Sequence, residues 1–362
     1  MTRAIGPIGI AVIGLLAGVG AKAETPEQTT VGSSLFIDAT NISQDSTATS
    51  GATTKSAASS TGVDVKRGYI IVGHTFDDIW SANVTTDFNY SGSTSETQLF
   101  IKKAWVQAKI SDGLVLRAGS SDLPWIPLVE GQYGFRFVEK LLIDRLNFGT
   151  TTDWGVHAAG KFSDGLFSYA VSGINGGGYK NPTRSAKVDF EGRVSVVPLE
   201  GLTLAVGGYS GKRGTDVTGA TFEPQHTAQR FDAYASYVQP QFRVGAEYFS
   251  ANNWNRLALQ AAPVASDHSD GFSLWASAKV APQFEIFARY DNAKPSTDLA
   301  PKLKDTYYNA GVDYKARKNV DIALAYKYEK VENGSISTGN GTIGGTREGE
   351  YKEIGLWALV AF

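Results

Sequence analysis

Hydrophobic and polar side chains alternate with a period of two along most of this chain of 362 residues. The segment 242–248 (FRVGAEY) places four apolar side chains on one face, with Arg243 and Glu247 on the other. Residues 284–291 and 320–329 repeat this scheme. Because successive side chains of a β-strand point to opposite faces of the sheet, the pattern predicts strands with one apolar face and one charged face.

Tight turns and longer polar segments separate the predicted strands in regular alternation. The tight turns carry the Asp, Gly, Pro or Asn that favour such turns, and they lie at 77–79, 111–113, 163–165, 198–201, 239–240, 281–282 and 316–319. The longer segments lie at 41–62, 91–96, 121–155, 176–186, 212–228, 251–268, 293–305 and 331–350. About sixteen strands of about 9–12 residues remain between them, which is typical of a transmembrane β-barrel.

The alternation is compatible with two all-β architectures. In a soluble β-sandwich the apolar faces form the core, whereas in a membrane barrel they face lipid and the charged faces line a water-filled interior. Aromatic residues concentrate near the strand ends, as the interfacial girdles of a barrel require. The last strand keeps its apolar alternation up to Phe362. We therefore predict an all-β fold, a transmembrane antiparallel β-barrel.

The segment 121–155 interrupts the series of strands, because it combines prolines, apolar residues and charges without a period of two. A loop of this length in a compact protein is usually functional. We expect this segment, the third long loop, to fold into the lumen and narrow it. Residues 135–146 are predicted to form a short helix, and the apolar side chains that share one face of it are Val138, Leu141, Leu142 and Leu146.

Charged side chains of this loop and of the strands are the candidate site. The predicted constriction residues are Glu130, Arg136, Glu139, Lys140, Asp144 and Arg145. The alternative is that they pair with one another, since Lys140 and Asp144 are spaced i,i+4 and Arg136 and Glu139 are spaced i,i+3. The strand residues predicted to line the lumen wall are Arg117, Arg193, Arg243, Glu247, Arg289 and Lys327. A basic wall opposite acidic loop residues would create a transverse field that orients dipolar solutes.

The first 23 residues have the features of a secretory signal peptide. Arg3 precedes an apolar run at 8–19, and Ala21-Lys22-Ala23 has the small-residue pattern of a cleavage site. A buried N-terminal helix is the alternative, which the frequent glycines disfavour. We predict a signal peptide at 1–23 and one barrel domain at 24–362 of an exported protein.

The composition excludes several kinds of site. The chain has no Cys and only four His, so we expect no disulfide, no thiol chemistry, no metal centre and no other cofactor. The formal charge of −2 gives no sign of a nucleic-acid partner. The histidines lie outside known hydrolase motifs, so an enzyme is the disfavoured alternative; they are His74, His157, His226 and His268. A non-conducting barrel that serves as an adhesin or receptor stays open, because several loops are long.

Residues 124–162 (PWIPLVEGQYGFRFVEKLLIDRLNFGTTTDWGVHAAGKF) resemble the central segment of the phosphate-selective porin O and P family of Gram-negative bacteria. The resemblance implies a homotrimeric, sixteen-stranded porin in the outer membrane, in contact with its lipid, whose third extracellular loop folds inward. In that family lumen arginines and lysines select phosphate. Here Arg136, Lys140 and Arg145 stand beside three acids. We therefore expect passive diffusion of small hydrophilic solutes and ions, with anion or phosphate selectivity as the alternative.

Overall fold

A computed structural model describes residues 26–91, 96–182, 185–214, 227–254 and 266–362. The predicted signal peptide and most of the loops at 212–228 and 251–268 lie outside these residues. The strands are β1 (Gln28–Thr47), β2 (Thr53–Lys55), β3 (Ser60–Thr75), β4 (Trp80–Ser91), β5 (Glu96–Ser111), β6 (Leu114–Asp122), β7 (Thr152–Phe162), β8 (Phe167–Ile174), β9 (Asp189–Leu199), β10 (Leu202–Gly211), β11 (Ala228–Val238), β12 (Phe242–Asn252), β13 (His268–Ala281), β14 (Phe284–Lys294), β15 (Lys304–Arg317), β16 (Val320–Thr338) and β17 (Gly341–Ala361).

The long strands close into a single antiparallel barrel. Strands β3 to β17 pair with their neighbours in chain order, and β1 closes the ring by pairing with both β3 and β17. The three-residue β2 is an addition that pairs with β1. The barrel therefore has sixteen long strands, and the predicted fold class and strand number are confirmed.

The two faces of each strand have opposite surroundings. On β16, the outward-facing Leu324 is 54% exposed, whereas the inward-facing Lys327 and Glu329 are 4% and 0% exposed. The outer wall is thus apolar and the interior holds the charges, which is the reverse of a soluble domain and the arrangement that a lipid-facing wall requires. This inversion confirms the choice of a barrel over a sandwich.

Aromatic side chains form two rows on the outer wall. The row toward the loop end contains Phe272, Tyr290, Tyr308 and Tyr326, and the row toward the turn end contains Tyr237, Phe242, Phe284 and Tyr314. Rings at headgroup depth present an apolar body and a polar tip. The rows therefore mark the two edges of the apolar band.

The helical segments of the third long loop differ from the prediction. The structure has α1 (Ile126–Tyr133) and α2 (Leu142–Arg145), with irregular backbone between them, so the helix predicted at 135–146 is present only as Leu142–Arg145 and its predicted bounds were wrong. Proline suits the first turn of α1, and Gly134 ends it in the left-handed conformation (φ 83°). A short 3₁₀ helix, Ser163–Gly165, forms one of the tight turns. None of the helices within the described ranges has the length and apolar character needed to cross a membrane.

The last predicted loop is instead a continuation of the barrel wall. β16 and β17 remain paired through Ile336 and Ile343 and turn at 339–340, so the loop predicted at 331–350 was wrong. The predicted loop at 41–62 is likewise shortened, because β1 runs to Thr47 and β3 begins at Ser60. Both faces of these extensions are largely polar, so the hydrophobic period that predicts a strand is weak there.

We expect Leu324→Arg to destabilise the protein folded in lipid vesicles by about 2–4 kcal/mol, because arginine is costly on the lipid face near the bilayer midplane. Urea titration of refolding into vesicles measures this change. The matched control is Ala159→Arg, since Ala159 lines the lumen, and we expect a change below about 1 kcal/mol there. Equal costs at the two positions would contradict the assignment of the faces.

Candidate functional site

The third long loop packs against one half of the lumen wall. The side chains of Trp125, Val129, Tyr133 and Phe148 are 0–3% exposed. Loop rings contact wall rings in the pairs Trp125–Tyr234 (6.4 Å between centroids), Tyr133–Trp275 (5.6 Å), Phe135–Phe287 (4.2 Å) and Phe148–Phe249 (4.7 Å). The wall partners come from β11 to β14, so the hydrophobic core lies inside the barrel on that side.

Arg145 joins the loop to the same half of the wall through a buried ion cluster. Its guanidinium lies 2.6 Å from Asp305 and 3.3 Å from Asp291, and it also pairs with Glu329. The ring of Tyr307 lies 4.5 Å from the guanidinium carbon. All four charged side chains are 0% exposed. Breaking a buried pair leaves uncompensated charge, so this cluster fixes the end of α2 against β14, β15 and β16.

Four wall arginines also donate hydrogen bonds to backbone carbonyls of the loop. The pairs are Arg193 to Pro124 (2.7 Å), Arg243 to Gln132 (3.4 Å), Arg289 to Lys140 (2.5 Å) and Arg230 to Phe148 (2.5 Å). The five donors of a guanidinium are held in a fixed fork, so one arginine can bind a carbonyl and a carboxylate together. Arg230 and Arg289 do this, since they also pair with Asp232 and Asp291. We call these four bonds the arginine clamp.

Most of the predicted wall residues hold the loop. Three belong to the arginine clamp, and Glu247 accepts a hydrogen bond from the indole of Trp125 at 2.8 Å. Lys327 lies 3.6 Å from the carboxylate of Glu139 on the loop. Of the six, Arg117 alone has no recorded contact with the loop among the described residues, and it lines open space instead.

The six predicted constriction residues separate into two groups. Glu139 and Arg145 are buried against the wall, whereas the other four form a partly exposed cluster. In that cluster Arg136 lies 2.5 Å from Glu130 and 3.4 Å from Asp144, and Lys140 lies 3.5 Å from Asp144. Burial raises the pKa of Glu130, although Arg136 opposes the shift. The predicted pair of Lys140 and Asp144 therefore forms, whereas Arg136 pairs with Glu130 and Asp144 instead of Glu139. The role of the cluster in the constriction stays a prediction.

Open space also remains in the lumen. Four cavities of about 900, 220, 390 and 380 Å³ lie between the turn end of the barrel and its loop end, and neighbouring cavities share lining residues. Arg117 lines both the first and the second, Lys102 the second and the third, and Arg136 the third and the fourth. We call this series the lumen path. We call the place where two neighbouring cavities share lining residues a junction, and each of the three junctions includes a cation.

The lumen path is richer in positive than in negative side chains. Its last three cavities are lined by eleven basic residues: Lys66, Arg67, Lys102, Lys103, Arg117, Arg136, Lys140, Lys180, Arg213, Arg230 and Lys327. The acids that line the same cavities number six: Asp122, Glu139, Asp144, Asp153, Glu191 and Glu353. Across the described ranges no carboxylate lies within salt-bridge distance of Lys102, Arg117 or Lys180. Acids that do not line these cavities compensate part of this excess, since Asp38, Asp87, Glu130 and Asp232 pair with Lys66, Arg67, Arg136 and Arg230.

Two β-bulges supply basic residues that sequence reasoning missed. Strand pairing skips Lys66 in β3 and Lys102 in β5. A bulge inserts an extra residue and re-aims side chains, so Lys66 with Arg67, and Lys102 with Lys103, all line lumen cavities. Each bulge could have been predicted from two adjacent cations in the sequence, because a regular alternating strand would point one of them toward lipid.

We expect Arg145→Met to lower the free energy of unfolding by about 3–5 kcal/mol, because three buried carboxylates would lose their shared partner. Chemical denaturation of the folded protein in vesicles measures the loss. The control Lys140→Met removes a partly exposed cation of the same loop, and we expect a loss below about 1 kcal/mol. A small effect of Arg145→Met would show that the ion cluster does not hold the loop.

Comparisons with known proteins identify the fold. An anion-selective porin from Comamonas acidovorans is 14% identical, with a TM-score of 0.63 over 93% of this chain and 100% of that one. The outer membrane channel DcaP of Acinetobacter baumannii is 13% identical, with a TM-score of 0.65 over 96% and 100%. OmpT of Vibrio cholerae in a trimer form is 15% identical, with a TM-score of 0.58 over 93% and 100%.

Sequence comparison adds no family assignment. The chain matches no protein-family profile and no curated protein. At these identities the structural likeness shows a shared barrel fold, the fold of outer-membrane porins. The resemblance of residues 124–162 to the phosphate-selective porins therefore stays a prediction.

Proposed function

We propose that this chain is an outer-membrane porin through which small hydrophilic solutes and ions diffuse passively. The observation that carries the proposal is the lumen path, a series of neighbouring cavities with charged linings inside a wall whose outer face is apolar. A barrel of sixteen strands is wide enough to leave an aqueous channel. The structural likeness to outer-membrane channels supports the same function.

The mechanism needs no chemical step, because the solute gradient drives flow. The third long loop narrows the lumen as a fixed part of the wall, since the arginine clamp and Arg145 hold it along its length. Solutes are selected by the width of the remaining path and by its charge. A hydrolase or a non-conducting adhesin would not require such a path, and measurable conductance separates these alternatives.

The proposed setting is the Gram-negative outer membrane. Residues 1–23 would direct export, residues 24–362 would form the pore, and the apolar outer band would contact outer-membrane lipid. A homotrimer is part of the proposal, because the sequence resemblance implies one and OmpT of Vibrio cholerae adopts a trimer form.

A second candidate function is selective passage of anions, phosphate included. It is favoured by the basic residues that line the lumen path, and above all by Lys102 and Arg117 at two of its junctions, which have no carboxylate partner within the described ranges. A narrow path with low-dielectric walls concentrates the field of such charges. The structurally similar porin from Comamonas acidovorans is anion-selective.

We expect the purified protein to give discrete current steps in planar bilayers, with a reversal potential in a KCl gradient that shows preference for chloride. Replacing both Lys102 and Arg117 by Gln is expected to lower the chloride-to-potassium permeability ratio by about twofold or more, because the field at two junctions weakens. Lys55→Gln, in the exposed β2, is the control and is expected to leave the ratio unchanged. Absence of current steps would refute the porin proposal, and an unchanged ratio in the double variant would refute the anion preference.

We expect the preference for anions to increase on acidification. Burial raises the pKa of Glu130 above the ordinary value of 4.5, so this carboxylate takes up a proton at higher pH than an exposed glutamate. The charge of Arg136, 2.5 Å away, is then compensated only by the more distant Asp144 at 3.4 Å, which also pairs with Lys140. Reversal potentials measured from neutral pH downward test this. Glu130→Gln should show the stronger preference already at neutral pH, and an unaltered pH profile in that variant would contradict the assignment.

A further inference from the structure

Three aromatic rings and two lysines meet at the loop end of the lumen path. Tyr69 comes from β3, Phe100 and Lys102 from β5, and Tyr179 and Lys180 from the loop that follows β8. We call these five residues the aromatic patch. Lys102, Tyr179 and Lys180 line the cavity of about 390 Å³, together with Arg136 and Lys140 of the third long loop.

Lys102 is a buried cation whose ammonium group contacts the aromatic side chains of Tyr69 and Tyr179. Its side chain is 8% exposed, and its ammonium donates a hydrogen bond to the hydroxyl of Tyr69 at 2.9 Å. The same nitrogen lies 4.4 Å from the centre of the Tyr69 ring and 6.0 Å from that of Tyr179. Buried ammonium groups are rarely left without an anion, and the described part of the chain places no carboxylate in contact with this one.

A second lysine of the aromatic patch, Lys180, also lies against aromatic rings. The ammonium of Lys180 lies 4.4 Å from the centre of the Phe100 ring, and the rings of Phe100 and Tyr179 stack at 5.9 Å with an angle of 25° between their planes. The backbone of Tyr179 is held by β7, because its N–H donates to Thr152 and its carbonyl accepts from the indole of Trp154. The ring surface is therefore organised before any solute arrives, which favours binding.

We propose that the aromatic patch is a binding site for small planar aromatic carboxylates, such as benzoate, as they pass through the pore. The carboxylate would pair with the ammonium groups of Lys102 and Lys180, and the ring would lie against Phe100 and Tyr179. This inference rests on the proposed function, because Lys102, Tyr179 and Lys180 of the patch line the lumen path.

The patch distinguishes between classes of solute. An inorganic anion such as phosphate uses the ammonium groups alone, and a neutral sugar uses neither the charges nor the stacking surface. An aliphatic carboxylate of similar size has the charge without the flat ring. Aromatic pairs contribute about 0.5–1.5 kcal/mol beyond buried area, so benzoate should bind about three- to tenfold more tightly than cyclohexanecarboxylate.

The test is block of the chloride current through single channels of the full mature chain in planar bilayers. We expect benzoate to block at about three- to tenfold lower concentration than cyclohexanecarboxylate. The double variant Phe100→Leu with Tyr179→Leu should abolish this difference while chloride still passes. Lys102→Gln should weaken block by both acids, and Lys103→Gln is the matched control because Lys103 is already paired with Asp122 at 2.7 Å.

The outcomes separate the aromatic patch from the pore itself. Equal block by the two acids, or a difference that persists in the double variant, would overturn the aromatic site while leaving the porin proposal intact. Absence of chloride current would overturn the porin proposal. In that case calorimetric titration of the detergent-solubilised protein with each acid still tests the patch, and equal or undetectable binding would refute it.

Discussion

The rest of this structure depends on the bonds that hold the third long loop to one side of the barrel. Sixteen strands enclose more space than their own inward side chains fill, so the loop determines how much of the lumen stays open. The hydrophobic effect that buries the aromatic side chains of the loop is non-directional and would by itself allow several positions of the loop. The arginine clamp adds direction, because each guanidinium binds one particular carbonyl.

The clamp also distinguishes a structural side of the lumen, where charges hold the loop, from the open cavities that the proposed function requires. On the structural side, Arg145 and Arg289 are matched by wall acids and fully buried, so their fields are largely compensated. On the other side, Lys102 and Arg117 line the lumen path without a carboxylate partner among the described residues. Net charge is therefore a poor guide to such a pore, because what a passing ion meets is the residual field of the unpaired groups.

The bulges in β3 and β5 explain how one wall can carry so many cations. A regular strand sends every second side chain to lipid, where a lysine is costly. At each bulge the strand pairing omits one residue, Lys66 or Lys102, so the next residue can also point into the lumen. In both strands that next residue is a second cation. The same local change brings Lys102 against Tyr69 and next to Tyr179, which creates the aromatic patch.

The sequence by itself determined the barrel, the number of long strands and the face of each strand that meets lipid, because these depend on neighbouring residues and on turn chemistry. The sequence did not predict the extension of β16 and β17, because both faces of it are largely polar. It also predicted a helix over 135–146, whereas Gly134 ends α1 and only the four residues of α2 are helical within that range. The roles of the charges were decided by tertiary structure. Arg136 and Arg145 belong to one loop, yet Arg145 alone is enclosed by acids that lie 146 to 184 positions further along the chain. Such partners come into contact only when the barrel closes, so a pattern of neighbouring residues cannot predict them.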